Sequence, residues 1–200
     1  MMLQTVRSDG IAAQPWRNGG GQTRELLAWP AAGDWLLRVS LADIAADGPF
    51  SAFPGVQRWF AVLEGAGVWL DIGGRTLRLD SGSPPQAFDG AEAPACRLID
   101  GPTRDLNLMA RSDAVQAGMS RVEAGRPWQP GPGWRGLFCD GPGQLLAAPD
   151  RPALTELPAF SLTWSADAQG PWTWQSAAGA RAWWLHVESP SAAQLGDDLR

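Results

Sequence analysis

Two hundred residues are enough for one large domain or for two small, closely packed ones with a real core. Sixteen basic residues, all arginine, stand against 21 acidic ones for a formal net charge of −5, and they gather into no basic stripe, which argues against a nucleic-acid partner. No apolar run approaches the roughly 20 residues of a membrane-spanning helix and the start, MMLQTVRSDG, lacks a signal-like apolar core, so the expectation is a cytoplasmic protein with no membrane partner.

The first distinctive stretch is QPWRNGGGQTREL, Gln14 to Leu26. Its glycines match neither the phosphate loop, because no lysine follows them, nor the spacing of the dinucleotide fingerprint. A nucleotide fold is therefore not expected. QTRELLAWP, ending at Pro30, is too short for a convincing helix and reads as a strand. Leu41 to Ala46 is the one stretch that could be helical. Downstream, Trp59 to Leu63, Val68 to Ile72, Thr76 to Leu79, Ala95 to Ile99 and Leu106 to Met109 read as strands. Gly73-Gly74 marks a tight hairpin, because both positions tolerate positive φ.

Glycine (24) and proline (17) are spread along the whole chain, which is the texture of an all-β protein. Gly65 to Arg75 is weakly echoed by Gly141 to Arg151, with four matches in eleven positions at an offset of 76. The echo favours a duplicated β-barrel or sandwich. Seven of the twelve tryptophans lie in the second half, where core or interface packing is the leading reading and a carbohydrate platform the lesser one.

His186 is the only histidine, so a multi-histidine metal centre is excluded and any Ser-His-Asp triad would depend on that residue. It sits in an apolar run and reads as a packed histidine. Carboxylate-only metal binding through Asp43, Asp47 or Asp105 would lack EF-hand spacing, and the expectation is no metal and no cofactor. Cys96 and Cys139 lack C-x-x-C spacing and read as reduced and partly buried.

The polar signals concentrate in the first half. Strand alternation puts Arg58, Phe60, Val62 and Glu64 on one face, and Asp105, Asn107 and Met109 on another. A buried arginine or asparagine needs partners, which a small anion could supply as well as Glu64 or Asp105 could.

PWRNGGGQTREL, ADIAADGPFSAFPGVQRWFAVLEGAGV and GPTRDLNLM resemble, in order and spacing, three signature segments of the HutD/Ves family. The resemblance covers nearly the whole first half and, more loosely, the full length. It implies an all-β bicupin, two small cupin-like jelly-roll barrels in one chain, spanning residues 1–112 and a Trp-rich 113–200. It also implies an accessory or regulatory protein that binds a small carboxylate intermediate of histidine degradation, such as N-formylglutamate. The expected ligand-binding set is Arg17, Asn18, Thr23, Arg24, Arg58, Glu64, Asp105 and Asn107, with no catalytic residue assigned. Two other readings stay open: a metal-independent isomerase or deformylase using Glu64 or Asp105 as general base, and a homodimer formed through the Trp-rich barrel.

Overall fold

The computed structural model describes residues 2–147, 154–176 and 179–188. Two compact units emerge, Ser8–Ala114 and a second made of Met1–Arg7 with Val115–Arg200. The first seven residues, expected in the first barrel, thus belong with the second half. The strand Gln4–Arg7 pairs antiparallel with Ser161–Ser165.

In the first unit a six-stranded antiparallel sheet runs in the spatial order Gln14–Pro15, Gly21–Trp29, Leu37–Ile44, Thr103–Arg111, Val56–Glu64 and Gln86–Asp89. A smaller sheet carries Gly48–Pro49, Ala95–Leu98, Val68–Ile72 and Arg75–Leu79. Side chains from both sheets meet in one apolar cluster that includes Phe60, Val62, Val68, Leu70, Phe88 and Cys96. Leu41–Ala46 is not helical, because Leu41 to Ile44 complete the strand Leu37–Ile44 between two partners. Long-range ladder pairing overrides a local preference that six residues express only weakly.

The second unit repeats this plan. With the edge strand Gly48–Pro49 left out and seven strands counted from Leu37–Ile44 in one unit and from Gln116–Arg121 in the other, both larger sheets contain the order 1-7-2-5 and both smaller sheets the order 4-3-6. The echoed segments Gly65 to Arg75 and Gly141 to Arg151 both include the third strand, Val68–Ile72 and Gly143–Leu146; Arg151 lies outside the described residues. The chain is therefore a duplicated, cupin-like all-β protein.

The two interiors are filled differently. In the second unit Trp172, Trp174 and Trp184, with 0%, 1% and 3% exposure, pack with Leu137 and Leu145, and Trp128 stacks on Trp184 at 4.6 Å. Packing, not an exposed aromatic platform, is the role of these rings. Cys96 and Cys139 are both free and buried. His186 is half-buried beside Trp128, with Gly118 opposite leaving room for its ring. Burial lowers its pKa, with Glu188 opposing, and its Nδ1 has no hydrogen-bond partner.

Candidate functional site

The first unit has a cavity of about 730 Å³ lined largely by the inward face of its six-stranded sheet. Cross-strand register builds that wall in rows. Arg38, Met109, Arg58 and Phe88 form one row, and Ser40, Asn107 and Phe60 the next. Thr23, Ala42, Asp105 and Val62 form a third. Polar residues thus gather at one end of an interior whose other end is the apolar cluster.

Arg58 is 7% exposed. Its Nη2 donates to Asn107 Oδ1 at 3.3 Å and its Nη1 to the Ser51 carbonyl at 3.3 Å, while Nε has no partner. The guanidinium lies 5.1–5.5 Å from the ring centres of Phe50, Phe53 and Phe88, whose π faces favour a cation. Burial lowers its pKa, the charge of Asp105 pushes it back up and Arg38 lowers it again, leaving it at about 10. The group stays charged at neutral pH. Among the described residues no carboxylate lies within ion-pair distance of it.

Asp105 is fully buried behind Asn107, whose Nδ2 donates to Asp105 Oδ1. Its Oδ2 has no partner. Burial raises its pKa well above the usual carboxylate range, the Arg58 charge and the Asn107 hydrogen bond pull against that, and the charge of Asp43 adds to it. Arg38 is held by Glu25, Nε to Oε2 at 2.6 Å. The cavity therefore offers one buried cation met only by neutral oxygens.

At the cavity mouth the glycine run has a distinct use at each position. Gly19 adopts a left-handed φ of 71°, which glycine tolerates freely. Gly20 donates its N–H to Asn18 Oδ1 at 3.0 Å and accepts from Ala45 at 2.8 Å. At Gly21 a side chain would come within 2.4 Å of the Asp43 carbonyl oxygen and 3.1 Å of the Trp16 ring. Trp16 Nε1 in turn donates to Thr23 Oγ1 at 2.7 Å, and both residues line the cavity.

Six of the eight residues expected from the sequence line this cavity: Arg17, Asn18, Thr23, Arg58, Asp105 and Asn107. Arg24 and Glu64 do not. Thr23 and Arg24 are neighbours in one strand and must face opposite ways; Arg24 Nη1 bonds Asp43 Oδ2 at 2.7 Å on the far face. Glu64 is turned outward by a β-bulge. Asp105 pairs with Val62 while Arg104 pairs with Glu64, so Leu63 is the extra residue and the alternation breaks there. Glu64 consequently bonds Arg104 Nη1 at 2.9 Å on the exposed side. Sequence reading missed Trp16, Arg38, Ser40, Phe50 and Phe53, of which Arg38 and Ser40 were legible as alternate positions of LRVSLADI once Arg58 was placed inward.

Asp43, Asp47 and Asp105 do not converge. Asp43 binds Gln22, Arg24 and Arg104, Asp47 accepts the Leu98 N–H at 2.8 Å, and Asp105 faces the cavity. Among the described residues no three His, Cys, Asp or Glu side chains form a cluster that could hold a metal ion. No helix among them is long and apolar enough to cross a membrane.

Comparison with known proteins matches this arrangement to others. A protein of 21.2 kDa from the hutC 3′ region of Pseudomonas putida is 38% identical over 111 residues, 54% of this chain and 57% of its own length. Protein Ves of Citrobacter koseri is 39% identical over 104 residues, 51% and 54% of the two chains. The chain spans little more than half the length of these curated relatives. Solved structures extend the match: HutD from Pseudomonas fluorescens SBW25, in a formate condition, has a TM-score of 0.82 at 26% identity, covering 95% of this chain and 100% of that one. A conserved protein of unknown function from Pseudomonas aeruginosa PAO1 has a TM-score of 0.85 at 28% identity, covering 94% and 100%. Salicylate 1,2-dioxygenase from Pseudoaminobacter salicylatoxidans, 10% identical with a TM-score of 0.62, shares the fold alone. The HutD family model matches residues 8–178, most of both units, and the chain belongs to the HutD family.

Proposed function

We propose that this protein binds a small carboxylate in the cavity of its first unit, as an accessory or regulatory component of histidine utilisation, with N-formylglutamate as one such intermediate. The observation that carries the reading is the state of Arg58: a buried guanidinium with neutral partners and a free Nε, facing a cavity. Desolvating a cation without a counter-charge is costly unless an incoming anion supplies it. A carboxylate can take two parallel N–H bonds from the planar fork. Asn107 and Thr23 are the orienting hydrogen-bonding groups, and Arg17 and Arg38 add positive charge to the lining. The hut-region relative and the HutD structure support the pathway assignment, and the protein is read as cytoplasmic on that basis.

Calorimetric titration with formylglutamate, glutamate and urocanate tests this on wild type and Arg58→Lys. The expected result is binding to wild type and weaker binding to the lysine variant despite its equal charge. Failure of every small acid to bind wild type would overturn the reading.

A second reading, a metal-independent isomerase or deformylase, rests on Asp105, a buried carboxyl with a strongly displaced pKa in the cavity. Turnover of a bound acid that Asp105→Asn abolishes would favour it. Glu64 offers it nothing, being exposed and paired with Arg104.

A further inference from the structure

Arg58 is one recognition point in the cavity; a second is built on the neighbouring strand, two residues from Asn107. A carboxyl group has about four lone-pair positions when ionised and one O–H donor when neutral. The fold gives Asp105 a single donor, the Asn107 amide at Oδ1, and leaves Oδ2 with none although the residue is fully buried. The charged or titratable groups that act on it are Arg58 beyond Asn107, Asp43 on the adjacent strand and the Cys96 thiol of the smaller sheet. None of the three donates to Oδ2. An ionised Asp105 would be under-solvated on one side, whereas the acid form needs only a single acceptor at Oδ2.

Resting on the carboxylate reading above, we propose that Asp105 presents an O–H donor from Oδ2 to the ligand, so that the site takes a short acid bearing a second, carbonyl-type acceptor oxygen at the end remote from Arg58. Asn107 bridges the two points. Its Oδ1 accepts from Arg58 and its Nδ2 donates to Asp105, which fixes the amide orientation. Because Asn107 touches both groups, the Arg58 fork and the Asp105 carboxyl lie one amide side chain apart, a span that a chain of four or five carbons covers with a hydrogen bond at each end. The bulge at Leu63 leaves this inward row intact, since the register from Asp105 to Met109 against Val62 to Arg58 is continuous.

The raised pKa of Asp105 agrees with this assignment, because burial favours the neutral form. Apolar surroundings can hold a carboxylic acid neutral at pH 7, and in that state it serves as a hydrogen-bond donor to a bound oxygen.

The test uses a matched pair, 4-oxopentanoate and pentanoate, which differ by one ketone oxygen. Wild type should prefer the oxo acid by about three- to tenfold, the worth of one hydrogen bond. Asp105→Asn keeps a donor and should keep the preference, while Asp105→Val should lose it. Equal binding of both acids by wild type, or loss of the preference in Asp105→Asn, overturns the assignment while the carboxylate reading stands. Binding of neither acid overturns both. Should Asp105→Val not fold, infrared spectroscopy of the other two proteins decides: a protonated-acid carbonyl band at neutral pH should be present in wild type and absent in Asp105→Asn, and its absence from wild type refutes the donor role.

Discussion

Arg58 and Asn107 meet at 3.3 Å on adjacent strands of the first unit, the guanidinium Nη2 donating to the amide oxygen. The corresponding arginine of the second unit has a different surrounding. Arg135 lies 77 positions beyond Arg58 and pairs across the sheet with His186 and Ser165, themselves 77 beyond Met109 and Phe88. It is 3% exposed; its Nη1 donates to the Gly170 carbonyl at 2.5 Å and its Nη2 to that of Pro130 at 3.1 Å, while its Nε, like that of Arg58, has no partner. One duplicated position thus carries an arginine facing a cavity in one unit and an arginine tying two loops together in the other.

Arg58→Met should separate binding from stability. Methionine fills most of the same volume among Phe50, Phe53 and Phe88 and makes sulfur–aromatic contacts, while removing a buried unpaired charge. Small-acid affinity should fall ten- to a hundredfold, from the roughly 1.5–3 kcal/mol of a charge-assisted bond. The melting temperature should stay level or rise. A loss of several degrees would make Arg58 a structural residue.

Arg135→Ala should do the reverse. It strands the Gly170 and Pro130 carbonyls, at a cost of about 2 kcal/mol, and leaves the first-unit cavity untouched. Urea denaturation and ligand titration on the same preparation check both halves. Weakened acid binding in a folded Arg135→Ala protein would contradict the division of roles.

Gly21→Ala tests the mouth. The new methyl would press on the Asp43 carbonyl and the Trp16 ring, although the backbone conformation itself suits alanine. Overpacking of this kind costs about 1–3 kcal/mol. Displacement of Trp16 should also slow or weaken acid binding. Thermal melts with titration read both, and an unchanged melt would show that the strand edge yields without strain.

Asp43 gives a pH signature. Partial burial raises its pKa, but hydrogen bonds from Arg104, Arg24 and Gln22 and the charge of Arg104 outweigh that and hold it at about 2, against an ordinary 3.8. The folded value is depressed, so the stabilisation is full above pH 3.8 and is lost as pH falls toward 2. Because the side chains are partly exposed and screened, the amount is on the order of 1 kcal/mol. Asp43→Asn should be less stable than wild type at pH 7, with the gap closing near pH 2. A gap that persists at pH 2 would assign the loss to packing.

Strand positions and the inward side of Arg58 were legible in the sequence, because side-chain direction alternates with period two and the apolar residues Phe60 and Val62 mark the covered face. The duplication was legible in Gly65 to Arg75 and its echo, where two glycines and one leucine recur at or beside the same third strand. Composition alone excluded a histidine-rich centre. What the tertiary structure decided is everything that depends on register between strands distant in the chain. A bulge at Leu63 sends Glu64 outward, and Arg38 joins the cavity row only because Met109 pairs with both Arg38 and Arg58. Asp105 is left without a partner on one oxygen for the same reason. Which residues face each other across a sheet is set by ladder pairing over tens of residues, and no local pattern encodes it.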